Sequence, residues 1–158
     1  MNSLVIYDSL YGNTEKIAQS IFHALQEHTE VIVKRVKEAT PALLAGCDLL
    51  VVGSPTQRFN PTPAMVDFLN SIRQNSLKGV KVAAFDTRLT WKEIEKTPPL
   101  AFFERIFGFA ASRITNALKK KGGVLVVEPQ GFFVEGMEGS LSEGEVERAG
   151  EWARKLFA

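Results

Sequence analysis

The sequence is poor in the residues that disulfide and metal chemistry need, with one cysteine, Cys47, and two histidines, His23 and His28, in 158 residues. One cysteine excludes an internal disulfide, and the three residues together are too few for a Cys-rich zinc site. That usage suits a reducing compartment, so a cytoplasmic location is expected. No apolar run approaches the roughly 20 residues that span a bilayer, and the chain opens without the basic start and apolar run of a signal peptide. No membrane partner is expected. Neither a GxGxxG fingerprint nor the Lys-Ser/Thr ending of a P-loop occurs, which argues against a dinucleotide or a magnesium nucleoside triphosphate. A basic stripe interleaved with aromatics is also lacking, so nucleic acid is not an expected partner.

What is present is the composition of an ordinary globular domain: 45% hydrophobic and 23% charged residues, with twelve Gly and seven Pro. A chain of this size buries roughly 70% of the surface its unfolded form exposes. Residues 1–158 are expected to form one domain. The net charge of +1 hides an uneven distribution, with −2 over residues 1–57, +7 over 58–121 and −4 over 122–158.

Five short apolar strands alternate with helical patterns. The strands are Leu4–Tyr7, Val31–Val33, Leu49–Val52, Val80–Phe85 and Val124–Val127, with Gly131–Val134 as a continuation of the last. Ile17, Ala18, Ile21, Phe22 and Leu25 mark the first helix, and Met65, Phe68, Leu69 and Ile72 another that opens at Thr62-Pro63. Phe103, Ile106, Phe107, Ala110, Ile114, Ala117 and Leu118 fit one long helix, closed by three lysines and two glycines. Ser142 and Glu145 form a capping box, with Leu141 and Val146 as its hydrophobic staple and Val146, Ala149, Ala153 and Leu156 facing inward. The architecture that follows is α/β: a three-layer, doubly wound, five-stranded parallel sheet.

In such a sheet ligands bind beyond the C-terminal ends of the strands. Three segments meet there: Ser9–Thr14, Ser54–Asn60 and Asp86–Trp91. The first joins a strand to a helix N-terminus and offers hydroxyls and amides suited to a phosphomonoester. Cys47 and the two histidines lie away from that end and read as structural.

At this point the sequence resembles the flavodoxin family. Ser9-Leu10-Tyr11-Gly12-Asn13-Thr14-Glu15-Lys16-Ile17-Ala18 is similar to its FMN phosphate loop and first helix. Val51-Val52-Gly53-Ser54-Pro55-Thr56 is similar to the third strand and first flavin loop, and Ala84-Phe85-Asp86-Thr87-Arg88 falls at the second. The resemblance implies strand order 2-1-3-4-5 and FMN as cofactor. It implies that Ser9, Tyr11, Asn13 and Thr14, with the amides of Leu10 and Gly12, bind the phosphate. Pro55, Thr56, Gln57, Arg58, Phe59, Asp86, Thr87, Arg88 and Trp91 would hold the ring, with Phe59 and Trp91 as stacking aromatics. Arg58 and Arg88, on the two ring loops, would favour a negatively charged reduced flavin.

The function implied is electron transfer to or from a redox partner protein by a monomer or weak homodimer. Two alternatives share the fold. One is an FMN-dependent NAD(P)H:quinone-type reductase, whose Pro-Thr-Arg-Phe-Gly-Asn loop is similar to Pro55-Thr56-Gln57-Arg58-Phe59-Asn60. The other is a cofactor-free interaction module.

Overall fold

The apolar alternation resolves into a single sheet with strand order β2-β1-β3-β4-β5, all neighbours parallel, where β1 is Asn2–Tyr7, β2 Glu30–Arg35, β3 Leu49–Pro55, β4 Lys81–Leu89 and β5 Val124–Leu125. The structure is a computed structural model; it describes residues 1–136 and 138–158, and the side chains among them except those of residues 103, 104, 106 and 107. Helices α1 (Asn13–Gln26), α2 (Pro63–Ser71), α5 (Ala110–Lys120) and α6 (Glu145–Arg154) cover the sheet. Two more, α3 (Trp91–Ile94) and α4 (Pro98–Phe107), stand between β4 and α5.

The middles of the inner strands, Leu4–Tyr7, Leu49–Val52 and Val82–Phe85, are continuous apolar runs because both faces of the sheet are covered. Successive side chains point to opposite faces. On one face Val5, Val51, Ala83 and Phe85 pack against Ile17 and Ile21 of α1 and Ala149 and Trp152 of α6. On the other, Ile6, Leu50, Val52 and Val82 pack against Met65 and Leu69 of α2 and Ile114 and Leu118 of α5. Gly53 is fixed by this packing, since a Cβ there would fall 2.0 Å from the Phe85 ring.

The edge strand is split. β5 pairs with the start of β4, and β6 (Gln130–Val134) pairs with its end, with the register slipping by two residues between them. Gly131–Val134 therefore does continue the fifth strand. Four expectations need correction. The fourth strand runs on through Asp86, Thr87 and Arg88 to Leu89, because β6 supplies ladder partners for those polar residues. The long helix is two, α4 and α5, broken at Gly108, whose φ of 77° no helix accommodates. Of its apolar positions, the side chains of Phe103, Ile106 and Phe107 lie outside the described residues.

The capping box does not form either. Gly144, at φ 83°, caps α6, while Ser142 donates to Glu135 and Glu145 accepts the Phe133 amide at 2.7 Å. Val146 is 40% exposed, so it is not an inward residue, although Ala149, Ala153 and Leu156 are buried. Among the described residues no helix is long and apolar enough to cross a membrane.

Candidate functional site

Because β1, β3 and β4 are parallel neighbours, their C-terminal ends open on one side of the sheet, and the segments that follow them face a common space. The first is Asp8–Thr14. Its base is tied down: Asp8 Oδ1 accepts the Ser9 amide at 2.8 Å, and Asp8 Oδ2 accepts the Thr62 hydroxyl at 2.5 Å. Arg35 donates to the Ser9 carbonyl at 2.9 Å. Ser9 Oγ accepts the amides of Gly12 (3.1 Å) and Glu15 (3.3 Å), so this hydroxyl and the Gly12 amide hold the turn itself.

Gly12 takes φ 92° at the N-cap of α1, which aims the next amides outward. The amides of Leu10, Tyr11, Asn13 and Thr14 have no acceptor among the described residues. Four open donors at the positive end of a 14-residue helix form a ready anion cradle. The side chains contribute less directly. Thr14 Oγ1 shares a 2.8 Å hydrogen bond with Thr87 Oγ1, and Asn13 Nδ2 donates to the Gly139 carbonyl at 2.5 Å. Leu10 and Tyr11 are exposed.

The second segment, after β3, is a two-residue turn. Gln57 and Asn60 exchange both backbone hydrogen bonds, at 2.8 and 2.9 Å, and Arg58 and Phe59 between them have φ of 46° and 62°. Two successive non-glycine residues with positive φ are a strained choice for a turn. Arg113 of α5 lies 5.1 Å from the Phe59 ring centroid. Thr56 links the layers, its amide donating to the Thr87 carbonyl at 2.9 Å and its hydroxyl oxygen accepting the Ala110 amide at 3.1 Å.

The third segment is not a loop: Asp86 to Leu89 complete β4, and Thr90 caps α3, which opens at Trp91. Asp86 and Arg88, two residues apart on one strand face, form a bidentate pair at 2.7 and 2.8 Å. Asp86 is fully buried and also accepts the Ala111 amide at 2.8 Å. Burial pushes its carboxyl above the usual carboxylate range, against the opposing pull of Arg88. The Arg88 guanidinium sits 3.7 Å from the centroid of Phe109.

These segments line a cavity of about 1240 Å³. From the expected site it gathers Leu10, Tyr11, Asn13 and Thr14, the run Pro55 to Phe59, and Thr87 with Arg88. Ser9, Gly12, Asp86 and Trp91 do not line it. Ser9 and Gly12 shape the cradle from behind, and Asp86 braces Arg88. Trp91 packs edge-on against Phe109, centroids 5.6 Å apart, and the Arg105 guanidinium lies 5.5 Å from its ring centroid. The wall missed from sequence is apolar: Ile94, Pro99, Leu100, Phe109 and Val134, which join Leu89 of the third segment. One signal was available, since the twenty residues from Thr90 to Phe109 between a strand and its helix have to pass over the strand end.

A shallower hollow of about 950 Å³ lies between α1 and α6, on the outside of the layer. Cys47 takes no part in either: it donates to the Leu49 carbonyl at 3.2 Å, and burial pushes its thiol up to about 11. The basic middle of the chain also divides in space. Lys81 begins β4, Lys119 and Lys120 end α5, and Lys78 and Lys121 lie beside them, all at the opposite end of the sheet from the cavity.

The family model described as the Flavodoxin domain matches residues 4–96. The flavodoxin of Aquifex aeolicus (strain VF5) is 30% identical over 139 residues, 80% of this chain and 75% of that protein. Oxidised Flavodoxin 2 from Bacillus cereus superposes over 99% of this chain and 98% of its own, with a TM-score of 0.76 and 25% identity. Oxidised Flavodoxin 1 from the same organism covers 99% and 97%, with a TM-score of 0.75 and 19% identity, a likeness of fold.

Proposed function

We propose that this chain, which belongs to the flavodoxin family, carries electrons to or from a protein partner by way of FMN held in the cavity beyond β1, β3 and β4. The observation that supports this placement is the set of four acceptor-free amides, Leu10, Tyr11, Asn13 and Thr14, at the positive end of α1 and on the cavity's edge. A phosphate dianion satisfies such donors without a counter-cation. The residues present therefore fit FMN.

FMN supplies the redox chemistry, and the chain's own groups bind and orient it. The cradle of amides takes the phosphate, and the Thr14 hydroxyl, steadied by Thr87, stands beside it. The apolar wall of Leu89, Leu100 and Phe109 keeps water from one side of the cavity, and the Gln57–Asn60 turn closes another. Leu10 and Tyr11, exposed at the cavity's rim beside the phosphate cradle, offer a partner protein a landing point.

Titration with FMN and with riboflavin, followed by flavin fluorescence quenching, tests the assignment. FMN should bind at least tenfold more tightly, about 1.4 kcal/mol. Equal affinities would remove the phosphate cradle from the site. A second reading, a reductase that takes hydride from NAD(P)H, is favoured by one observation: Trp91 is turned onto Phe109 and leaves the cavity without that aromatic cover. Rapid anaerobic bleaching of the bound flavin by NADPH alone would select it over the carrier.

A further inference from the structure

We propose that Arg88, held in one pose by Asp86, Phe109 and Gly131, biases the flavin in this cavity toward its reduced, anionic form, and that Asp86 limits the bias. The inference rests on the FMN reading above. Three contacts fix the guanidinium. Its Nε and Nη2 are bound by Asp86 at 2.7 and 2.8 Å, and its plane sits 3.7 Å from the Phe109 centroid. The third contact is the backbone of Gly131, where a Cβ would fall 2.1 Å from Nε and 2.2 Å from Cζ. Gly131 thus supplies the space in which the arginine lies. The remaining nitrogen, Nη1, has no acceptor among the described residues, and Arg88 lines the cavity.

Arg58 is the contrast. It also lines the cavity, but it stands exposed at the tip of a turn, where solvent screens its charge. Arg88 has only 19% of its side chain exposed, so its charge is screened less.

Two electrons from the partner protein and one proton from water, taken up by the neutral oxidised ring, leave one negative charge on it. A held cation favours that state over the neutral one. The fully buried Asp86 carboxylate opposes the effect, because the ring then faces an ion pair instead of a lone charge. Opposite effects from the two residues are the signature of this arrangement.

The test measures the dissociation constants of oxidised and dithionite-reduced flavin, for FMN and for riboflavin. Arg88→Gln should lower the preference for the reduced form by about three- to tenfold, where tenfold is about 30 mV for a two-electron couple. Asp86→Asn should raise it by a similar factor. Both shifts should appear with riboflavin, because they act on the ring. A ratio changed less than twofold by Arg88→Gln, or moved in the same direction by both variants, would overturn the inference. If Asp86→Asn does not fold, Arg88→Lys replaces it: keeping the charge should keep the ratio within twofold, and a loss as large as that of Arg88→Gln counts against the proposal. Wild-type protein that bound neither flavin would overturn the FMN reading and this inference with it, whereas an unshifted ratio in a protein that binds FMN overturns this inference alone.

Discussion

Thr14 and Thr87 meet hydroxyl to hydroxyl at 2.8 Å, joining the first turn of α1 to β4 across the floor of the cavity. Both are buried, so each is the other's substitute for water. If Thr87 donates, the Thr14 proton is left for a ligand oxygen. Thr87→Val should therefore cost about 1 kcal/mol of stability through the orphaned partner, and Thr14→Ala should in addition weaken FMN by about 1–2 kcal/mol. Urea unfolding of the flavin-free protein and FMN titration separate the two effects. Riboflavin affinity should stay the same in Thr14→Ala.

Gly12 caps α1 at φ 92° with open space where a Cβ would go. Replacing it by alanine meets no clash, so its cost is conformational, about 1–2 kcal/mol. The same strain would turn the Asn13 and Thr14 amides away from a common focus. Gly12→Ala should lower the urea midpoint and weaken FMN more than riboflavin. An unchanged ratio of the two affinities would show that the cradle does not depend on this backbone turn.

At the tip of the second loop, Arg58 holds φ 46° without the freedom of glycine. Arg58→Gly should relieve about 1 kcal/mol of strain and raise the melting temperature of the flavin-free protein. A fall in melting temperature would mean that the arginine side chain stabilises the turn by more than its backbone costs.

The turn from β1 into α1 was legible from sequence because its information is local: a strand end, a glycine and a helix start lie within seven residues. The strand order came with the family resemblance, and the sheet agrees with it. Asp86 and Arg88 were read as loop because polar residues rarely sit inside a strand. Their mutual neutralisation at positions i and i+2, on one strand face, is what removes that objection. The partner that turns this stretch into strand is β6, more than forty residues away, which no local pattern announces. Ser142-Glu145 failed for a similar reason, since a capping pattern carries no warning that Phe133 and Arg148 will claim the glutamate.

Glu145 and Asp86 predict opposite pH responses. Burial raises the Glu145 carboxyl, but Arg148 and the Phe133 amide outweigh it and hold the group below the usual carboxylate range. A folded value below the unfolded one, about 4.3, means that the stabilisation is complete above that pH and is lost as pH falls through the folded value. Asp86 is raised, so its contribution declines as pH rises from about 3.9 toward the folded value. Glu145→Gln should flatten the acid limb of stability below about pH 4. Urea midpoints measured from pH 2 to 7 on both proteins check this, and parallel curves would show that Glu145 does not contribute to the limb.

The +7 of residues 58–121 invites the idea that positive charge gathers over the flavin, and the fold divides it instead. Lys119 and Lys120 close the last turn of α5, where cations offset the negative end of the helix dipole, and Lys81 opens β4 on the same side. A nine-residue strand spans roughly 26 Å from there to the cavity end. That is more than twice the Debye length of about 10 Å at 0.1 M salt, so charges at one end are screened from the other. Charge reversal by Lys119→Glu with Lys120→Glu should cost a few tenths to about 1 kcal/mol of stability, through the dipole. It should leave the FMN dissociation constant within about twofold, because the expected coupling at that range is well under 1 kcal/mol. Isothermal titration at 0.1 M salt, set beside urea unfolding of the same variant, measures both quantities. A flavin affinity that fell with the two lysines would place the basic cluster within electrostatic reach of the cavity and contradict the division of charge drawn from the fold.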